Sequence, residues 1–305
     1  MTQQTLPQTP VDCGFLNVLK PPGMSSAAVV GRVRRLLQGA KVGHAGTLDP
    51  EAAGVLPLMI GKAARLFDYL QDKQKEYVAE VAFGQATDTQ DAQGSVLALG
   101  ANIPDETAMR AVLPAFQGDL MQTPPMYSAL KRDGRRLYDL ARKGEQVAVD
   151  ARPVTVHALS LQGMMPRSGA LLRVACSKGF YVRTLCHDLG QALGCPAHMR
   201  FLLRTRSGSF TLDTAHTLES LAMAADAGTV ATLLLPMDLP LAHLPSVDVP
   251  LRLQKPLING IPLRLDALPA LPTTEKPIRM YVAGVLTAIG EQQGELLRVR
   301  TWLGA

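Results

Sequence analysis

Residues 43–50 read Gly43-His44-Ala45-Gly46-Thr47-Leu48-Asp49-Pro50, and Gly54 follows shortly after them. Glycines let the backbone approach a ligand closely, and Pro50 moves Asp49 out of the α region. The loop therefore displays the carboxylate of Asp49 and does not pack it in a core, and such loops often carry catalytic groups. An ordinary Asx turn before proline explains the same residues equally well. The role of Asp49 thus depends on residues elsewhere in the chain.

Strands and helices are predicted on both sides of this loop. The clearest strand patterns lie at residues 15–19, 55–60, 77–83, 154–161 and 171–176, and helical patterns lie at residues 25–37, 62–70, 104–116 and 182–193. They follow one another without a regular βαβ alternation. This mixture predicts an α+β fold, in which helices flank a large domain built on a mixed, mainly antiparallel sheet.

The length of 305 residues predicts one large domain and a smaller one. Residues 1–12 are polar and are expected to be disordered, and residues 13–240 form the large domain. Prolines at positions 236, 240, 245 and 250 mark a linker. Residues 246–305 contain short β segments, at 280–288 and 295–302, and are expected to form a small β domain.

Composition excludes several classes of protein. Hydrophobic residues make up 47% of the chain, enough for a substantial core, but the longest apolar runs are far too short to span a bilayer. The first ten residues lack the basic and apolar regions of a signal peptide. The four cysteines form no Cys-x-x-Cys pair, which indicates reduced thiols in the cytoplasm. No amphipathic heptad requires a partner chain, so a monomer is expected.

Positive charge is concentrated in one part of the chain. Residues 126–210 hold 14 Lys and Arg against 5 Asp and Glu, whereas the remainder holds 17 against 21. Such a tract favours a polyanionic partner, with nucleic acid as the leading candidate, although a solvated basic face remains an alternative. Its densest part lies within residues 122–150, a segment that contains Pro124-Pro125 and that is expected to grip an RNA backbone.

Two further segments complement the Asp49 loop. Tyr77 begins a strand, where its ring is able to stack on a base, although a half-buried strand tyrosine is the simpler interpretation. Arg183 lies at a strand-to-helix junction, in the run Tyr181-Val182-Arg183. An arginine at a helix start is disfavoured by the macrodipole, so an anionic partner is expected, and Asp49 is a candidate.

Cys186-His187 and Cys195 with His198 have poor spacing for zinc, and no metal site is predicted.

Together these residues resemble the bacterial tRNA pseudouridine-55 synthase (TruB) family. The matching segments are ordered and spaced along residues 14–212: residues 19–26, 43–54, 75–77, 124–131, 179–185, and Ala197-His198 leading to residues 202–205. The C-terminal segment is similar in placement to the family's small RNA-binding (PUA-like) β domain, but it carries no strong motif.

The resemblance implies isomerisation of uridine 55 in the T-loop of tRNA to pseudouridine, by base flipping and without metal or any other cofactor. By motif match, Asp49 is the catalytic aspartate, Tyr77 is the ring that packs on the target base, and Arg183 is the salt-bridge partner of Asp49. The expected partner is the T-arm of tRNA, with no membrane and no obligatory protein. The family pattern further implies that four residues contact the substrate: Lys20, His44, Tyr181 and Leu202. Six are expected to contact the RNA backbone: Lys131, Arg132, Arg135, Arg136, Arg142 and Lys143.

Two other interpretations remain open. A guide-RNA-dependent synthase shares the aspartate loop, although the long basic insertion favours an enzyme that grips tRNA itself. A non-catalytic RNA-binding or tRNA-folding protein has no reason to keep Asp49, Tyr77 and Arg183 together. The sequence also leaves open whether Asp49 attacks the sugar, adds to the base, or promotes loss of the C2′ proton.

Overall fold

A computed structural model describes residues 13–70, 74–128, 130–132, 135–136, 147–271 and 274–304. Residues 1–12, predicted to be disordered, lie outside the described residues. The strands, in chain order, are β1 (Gly14–Lys20), β2 (Val42–His44), β3 (Ala53–Ile60), β4 (Lys75–Phe83), β5 (Gln85–Thr87), β6 (Val96–Leu99), β7 (Gly118–Gln122), β8 (Lys131–Arg132), β9 (Arg135–Arg136), β10 (Arg152–Met165), β11 (Gly169–Cys176), β12 (Ala197–Ser207), β13 (Phe210–Thr211), β14 (Ser246–Asp248), β15 (Leu263–Arg264), β16 (Ile278–Val282), β17 (Val285–Gln293) and β18 (Leu296–Trp302).

The large sheet has the strand order β1-β3-β12-β4-β11-β10-β7, with β2 beside β3 and β13 beside β12. Strands β12 and β3 pair in parallel, and the other pairs of this sheet are antiparallel. The prediction of an α+β fold with a mixed, mainly antiparallel sheet is therefore confirmed. The pairing places β12 between the strand that follows the Asp49 loop and the strand that carries Tyr77.

Helices cover the large sheet. The α-helices are α1 (Ser26–Leu36), α2 (Glu106–Val112), α3 (Val182–Ala192), α4 (Leu218–Asp226) and α5 (Gln254–Ile258). Helix α1 starts where the sequence predicts, because the side chain of Ser25 accepts a hydrogen bond from the backbone N–H of Ala28. Its inner residues Val29 and Val33 are buried in a cluster with residues of β1 and β3. Helix α3 packs against β12 and β4.

Short 3₁₀ helices connect these elements. They span Gly61–Tyr69, Leu113–Phe116, Leu212–Thr214, Val230–Leu233, Leu239–Leu241, Leu251–Leu253 and Leu265–Ala267. The first replaces the amphipathic α-helix expected at residues 62–70. Its buried side chains, Ala63 and Leu66, are three residues apart. This spacing matches the three residues per turn of a 3₁₀ helix.

The C-terminal strands form a second sheet, with the order β14-β16-β17-β18-β15. One continuous β segment is predicted at residues 280–288, but the structure has a tight hairpin there. Ala283 and Gly284 both have positive φ angles (48° and 77°), which join β16 to β17 through a two-residue turn. Leu286 and Ile289 of this sheet share a buried cluster with Phe15, so the second sheet packs against the first. In the described part of the chain, no helix has the length and apolarity needed to cross a membrane.

Candidate active site

The Asp49 loop is held on both sides of the carboxylate. Ser26 Oγ accepts a hydrogen bond from the backbone N–H of Leu48 (2.9 Å) and donates one to the Leu48 carbonyl (3.0 Å). On the other side, Lys20 Nζ donates to the carbonyl of Pro50 (2.7 Å). The backbone on both sides of Asp49 is therefore held in place by side chains of β1 and α1.

Arg183 binds the carboxylate of Asp49 through two nitrogens. Its Nε lies 3.0 Å from Asp49 Oδ2, and its Nη2 donates to Asp49 Oδ1 at 3.3 Å. The same guanidinium donates to the carbonyls of Thr89 (3.2 Å) and Tyr127 (2.9 Å), and it lies 3.6 Å from Asp91 Oδ2. The Arg183 side chain is only 5% exposed. Its position at the start of α3 is therefore stabilised by two acids and two carbonyls.

The Asp49 carboxylate is still accessible from a pocket, since its side chain is 39% exposed. Burial in this concave site raises the pKa of Asp49 above its ordinary value of 3.8, and the Arg183 charge acts in the opposite direction. The sequence predicts that Arg183 keeps Asp49 ionised. In the structure Arg183 counteracts the effect of burial on the pKa but does not cancel it.

The pocket above Asp49 has a volume of about 390 Å³, within the range of small-molecule sites. Its charged and phenolic lining residues are Asp49, Lys75, Tyr77, Lys178, Tyr181, Arg183 and Arg204. Apolar side chains complete the wall: Pro57, Phe67, Leu70, Phe180, Phe210 and Pro240. The three residues predicted to be catalytic thus line one cavity, together with an aromatic surface.

Tyr77 lines this pocket and is 8% exposed. Burial raises the pKa of its hydroxyl to about 12, while the neighbouring Arg204 lowers it. The phenol is therefore protonated at neutral pH, and its ring offers an apolar face.

Tyr181, which immediately precedes α3, is held in place by Gln122: the Gln122 amide donates to its carbonyl (3.0 Å) and accepts from its N–H (2.8 Å). Burial raises the pKa of the Tyr181 hydroxyl as well.

Lys20, His44 and Leu202 do not line the pocket. Lys20 is fully buried, and its ammonium donates hydrogen bonds to the carbonyls of Pro21, Met24 and Pro50. Its role is therefore to stabilise the Asp49 loop, and it does not contact a substrate. Burial lowers its pKa to about 8. Leu202 points into the core beneath the sheet.

His44 lies on β2, and burial lowers its pKa. Its buried Nδ1 has no hydrogen-bond partner among the described residues.

The predicted RNA-backbone contacts fall in the part of the chain that is least described. Lys131 and Arg132 form β8, and Arg135 and Arg136 form β9, which pairs with it as a hairpin. Arg142 and Lys143 lie outside the described residues.

Sequence reasoning missed two charged groups that belong to this site. Asp91 lies in the turn after β5, beside Arg183, and Arg204 lies on β12. Asp91 is preceded by Thr87-Asp88-Thr89-Gln90, a run of polar residues that is typical of an ordinary turn. Arg204 belongs to a matched family motif, but nothing in that motif indicates that its side chain points inward.

A second cavity, of about 460 Å³, adjoins the pocket and shares Leu70, Ser177 and Lys178 with it. We call it the adjoining cleft. Its charged and titratable lining residues are Asp68, His157, Lys178, His243 and Lys276. It lies between the large sheet and the C-terminal sheet, since His157 belongs to β10 and Lys276 lies two residues before β16. The cleft therefore carries two lysines and one aspartate, and it shares part of its wall with the pocket.

Comparison with known proteins agrees with this site. Residues 34–182 match the model of the TruB family pseudouridylate synthase N-terminal domain, and residues 183–242 match the tRNA pseudouridylate synthase B C-terminal domain. Among solved structures, the chain is similar to one in a Cbf5-Nop10-Gar1 complex, with a TM-score of 0.72, 28% identity, and coverage of 96% of this chain and 85% of that one. It is also similar to one in an H/ACA RNP bound to a substrate RNA containing 2′-deoxyuridine (TM-score 0.73, 25% identity, 99% and 92% coverage).

Curated relatives are more similar in sequence. The chain is 45% identical to the tRNA pseudouridine synthase B of Moorella thermoacetica, over 93% of this chain and 92% of the relative. It is 48% identical to that of Symbiobacterium thermophilum, over 81% and 82%. Identity of this extent, over most of both chains, settles the family. The chain belongs to the TruB family of pseudouridylate synthases.

Proposed function

We propose that this chain isomerises uridine 55 in the T-loop of tRNA to pseudouridine, acting in the cytoplasm as a monomer. The single observation that carries the proposal is the Asp49–Arg183 ion pair at the base of a pocket that Tyr77 also lines. Membership of the TruB family supports it, because relatives that align over most of this chain are tRNA pseudouridine synthases.

The reaction needs no second substrate. The bond between uracil N1 and ribose C1′ breaks, the base rotates, and a new bond forms between C5 and C1′. The proton on C5 leaves and N1 takes one up, so that the product is an isomer. Asp49 is the one carboxylate among the residues that line the described pocket, and it is the group assigned to start the cleavage.

Reaching C1′ requires the uridine to leave its stack, at a cost of a few kcal/mol. Stacking on the ring of Tyr77 offsets about 1–3 kcal/mol of this cost. Because the Tyr77 hydroxyl has a pKa of about 12, its role is that of a platform and not of a base at neutral pH. Phe180 and Phe210, both buried, provide an apolar wall beside the reacting base.

RNA binding is assigned to two basic surfaces. One is the insertion at residues 122–150, whose hairpin carries four basic residues in β8 and β9. The other is the adjoining cleft, with Lys178 and Lys276. Folded RNA is recognised by its shape, its backbone and its splayed loop bases, and exposed lysines next to the pocket suit the backbone.

A guide-dependent synthase is the alternative, since a similar structure is an H/ACA RNP bound to RNA. The two differ in what they need. A stand-alone enzyme modifies bare tRNA, whereas a guide-dependent one is inactive without guide RNA and partner proteins.

The test is to incubate the purified chain with a bare tRNA transcript and to map pseudouridine in the product. We expect modification at position 55 and none in a transcript with cytidine at that position. Failure on the bare transcript, under conditions where the tRNA is bound, would reject the stand-alone function.

A further inference from the structure

Arg204 is the largest fully buried side chain of the described residues, with 1% exposure. It lies on β12, where its backbone is paired with Tyr77 on one side and with Gly54 on the other. A Cβ at Gly54 would collide with the Arg204 backbone. This close approach explains why glycine is needed at the second residue of β3, and it brings the start of that strand, just after the Asp49 loop, directly onto Arg204.

The guanidinium of Arg204 joins the two ends of that loop. Its Nη2 and Nη1 donate to the carbonyls of Gly46 and Thr47, each at 3.2 Å, and its Nε donates to the carbonyl of Val55 at 2.7 Å. Asp49 lies between these anchor points in sequence. A single rigid group thus closes the loop that presents the carboxylate.

Arg204 also contacts the other side of the pocket. The Tyr77 hydroxyl lies beside it, and the two groups shift each other's pKa: Arg204 lowers that of Tyr77, and Tyr77 raises that of Arg204. The guanidinium therefore bonds to the loop that carries Asp49, and its residue is paired with Tyr77 across β12 and β4.

Packing alone is a poor explanation for this arginine. Burying a cation is costly, and burial lowers the pKa of Arg204. Within the described ranges, Arg204 makes no salt bridge with a carboxylate that would repay this cost; the three carbonyls are its main partners. A methionine or leucine would fill similar space without the penalty. What a guanidinium adds is several donors in a fixed planar arrangement.

We propose that Arg204 is a positioning residue, which sets the distance between the Asp49 carboxylate and the Tyr77 ring by clamping both ends of the loop. The inference rests on the proposed function, because the distance matters only if both groups act on one nucleotide. A displacement of about 1 Å at a reacting centre is able to cost roughly 100-fold in rate.

The test compares Arg204→Gln and Arg204→Lys with Arg206→Gln. Arg206 is two residues away on the same strand and pairs with Glu76 at 3.8 Å, outside the pocket, which makes it a matched control. For each protein we would measure the folded fraction by thermal unfolding, the Kd for tRNA, and the single-turnover rate of pseudouridine formation at saturating tRNA. Wild-type activity in the same assay tests the proposed function separately.

We expect Arg204→Gln to lower the single-turnover rate roughly 100-fold per folded molecule, with a Kd within about threefold of wild type. Arg204→Lys should recover part of this loss, because an ammonium keeps the charge and reaches some of the carbonyls. Arg206→Gln should leave the rate unchanged. A wild-type rate in the folded Arg204 variants, a loss confined to Kd, or a failure of both variants to fold would overturn the proposal.

Discussion

The pocket and the adjoining cleft share a wall but differ in how far their charged side chains are buried. In the pocket, Asp49 is paired with Arg183, and Arg204 is enclosed by carbonyls. In the cleft, Lys276 is exposed to solvent, as is Lys178, which lines both cavities. Fixed, desolvated charges suit chemistry, because they need no reorganisation during the reaction. Exposed lysines suit attraction of a polyanion. The comparison predicts that variants of the pocket change the rate and that variants of the cleft change affinity.

The largest effect is expected for Asp49→Asn. The amide keeps the shape of the side chain but removes the charge, so pseudouridine formation should fall by at least about 1,000-fold while tRNA binding is retained. Glu51→Gln, an exposed acid in the same loop, is the matched control and should behave as wild type. A normal rate for Asp49→Asn, measured by single turnover on saturating tRNA, would contradict the role of the carboxylate.

Arg183→Gln should lower the single-turnover rate by roughly 100-fold, because the carboxylate loses two hydrogen bonds that orient it. The Kd for tRNA should change little, since the guanidinium is only 5% exposed. If filter binding instead shows a large loss of affinity with a normal saturated rate, Arg183 belongs to the binding surface.

As the pH is lowered, the saturated rate should fall with a midpoint above pH 3.8, the ordinary pKa of an aspartate. The pKa of Asp49 is raised, so as the pH falls the carboxylate takes up a proton and the rate drops about tenfold per pH unit below that pKa. In Arg183→Gln the midpoint should move to higher pH, because the Arg183 charge lowers this pKa. A fall of the rate at the same pH in both proteins would show that Arg183 does not affect the pKa of Asp49.

The smallest effect is expected for Lys276→Gln in the cleft. The Kd for tRNA should rise a few-fold, and its dependence on salt should weaken by about one phosphate contact. Lys255→Gln, an exposed lysine on α5 in the same part of the chain, is the control and should leave both unchanged. An equal change of Kd and of its salt dependence in the two variants would show that the cleft does not bind tRNA.

The sequence predicts the fold well where its periodicity is undisturbed. The strand expected at residues 55–60 lies within β3, and the helix expected at residues 182–193 corresponds to α3. Strand β12 is different, because its register shifts between Met199 and Phe201 and again between Arg204 and Arg206. Each shift breaks the alternation of inward and outward side chains, so the pattern cannot show that Arg204 points inward.

The Asp49–Arg183 contact was predictable from the sequence, whereas three of the predicted substrate contacts, Lys20, His44 and Leu202, do not line the pocket. Asp49, Tyr77 and Arg183 come from three segments, and motif resemblance predicts that they act together. The contacts of Lys20 were not predictable, since a lysine beside Pro21 and Pro22 suggests an exposed turn. Its burial depends on carbonyls at Met24 and Pro50, which only the folded chain brings together.

The most direct test of the division between pocket and cleft is to measure the wild-type Kd for tRNA and the saturated single-turnover rate as functions of salt. From about 50 to about 200 mM salt, we expect the Kd to rise at least tenfold, because phosphate contacts release counterions. The saturated rate should stay within about twofold, because Asp49 is paired with the buried Arg183 and such a pair is poorly screened by salt. A Kd that ignores salt, or a saturated rate that falls in parallel with affinity, would contradict the account.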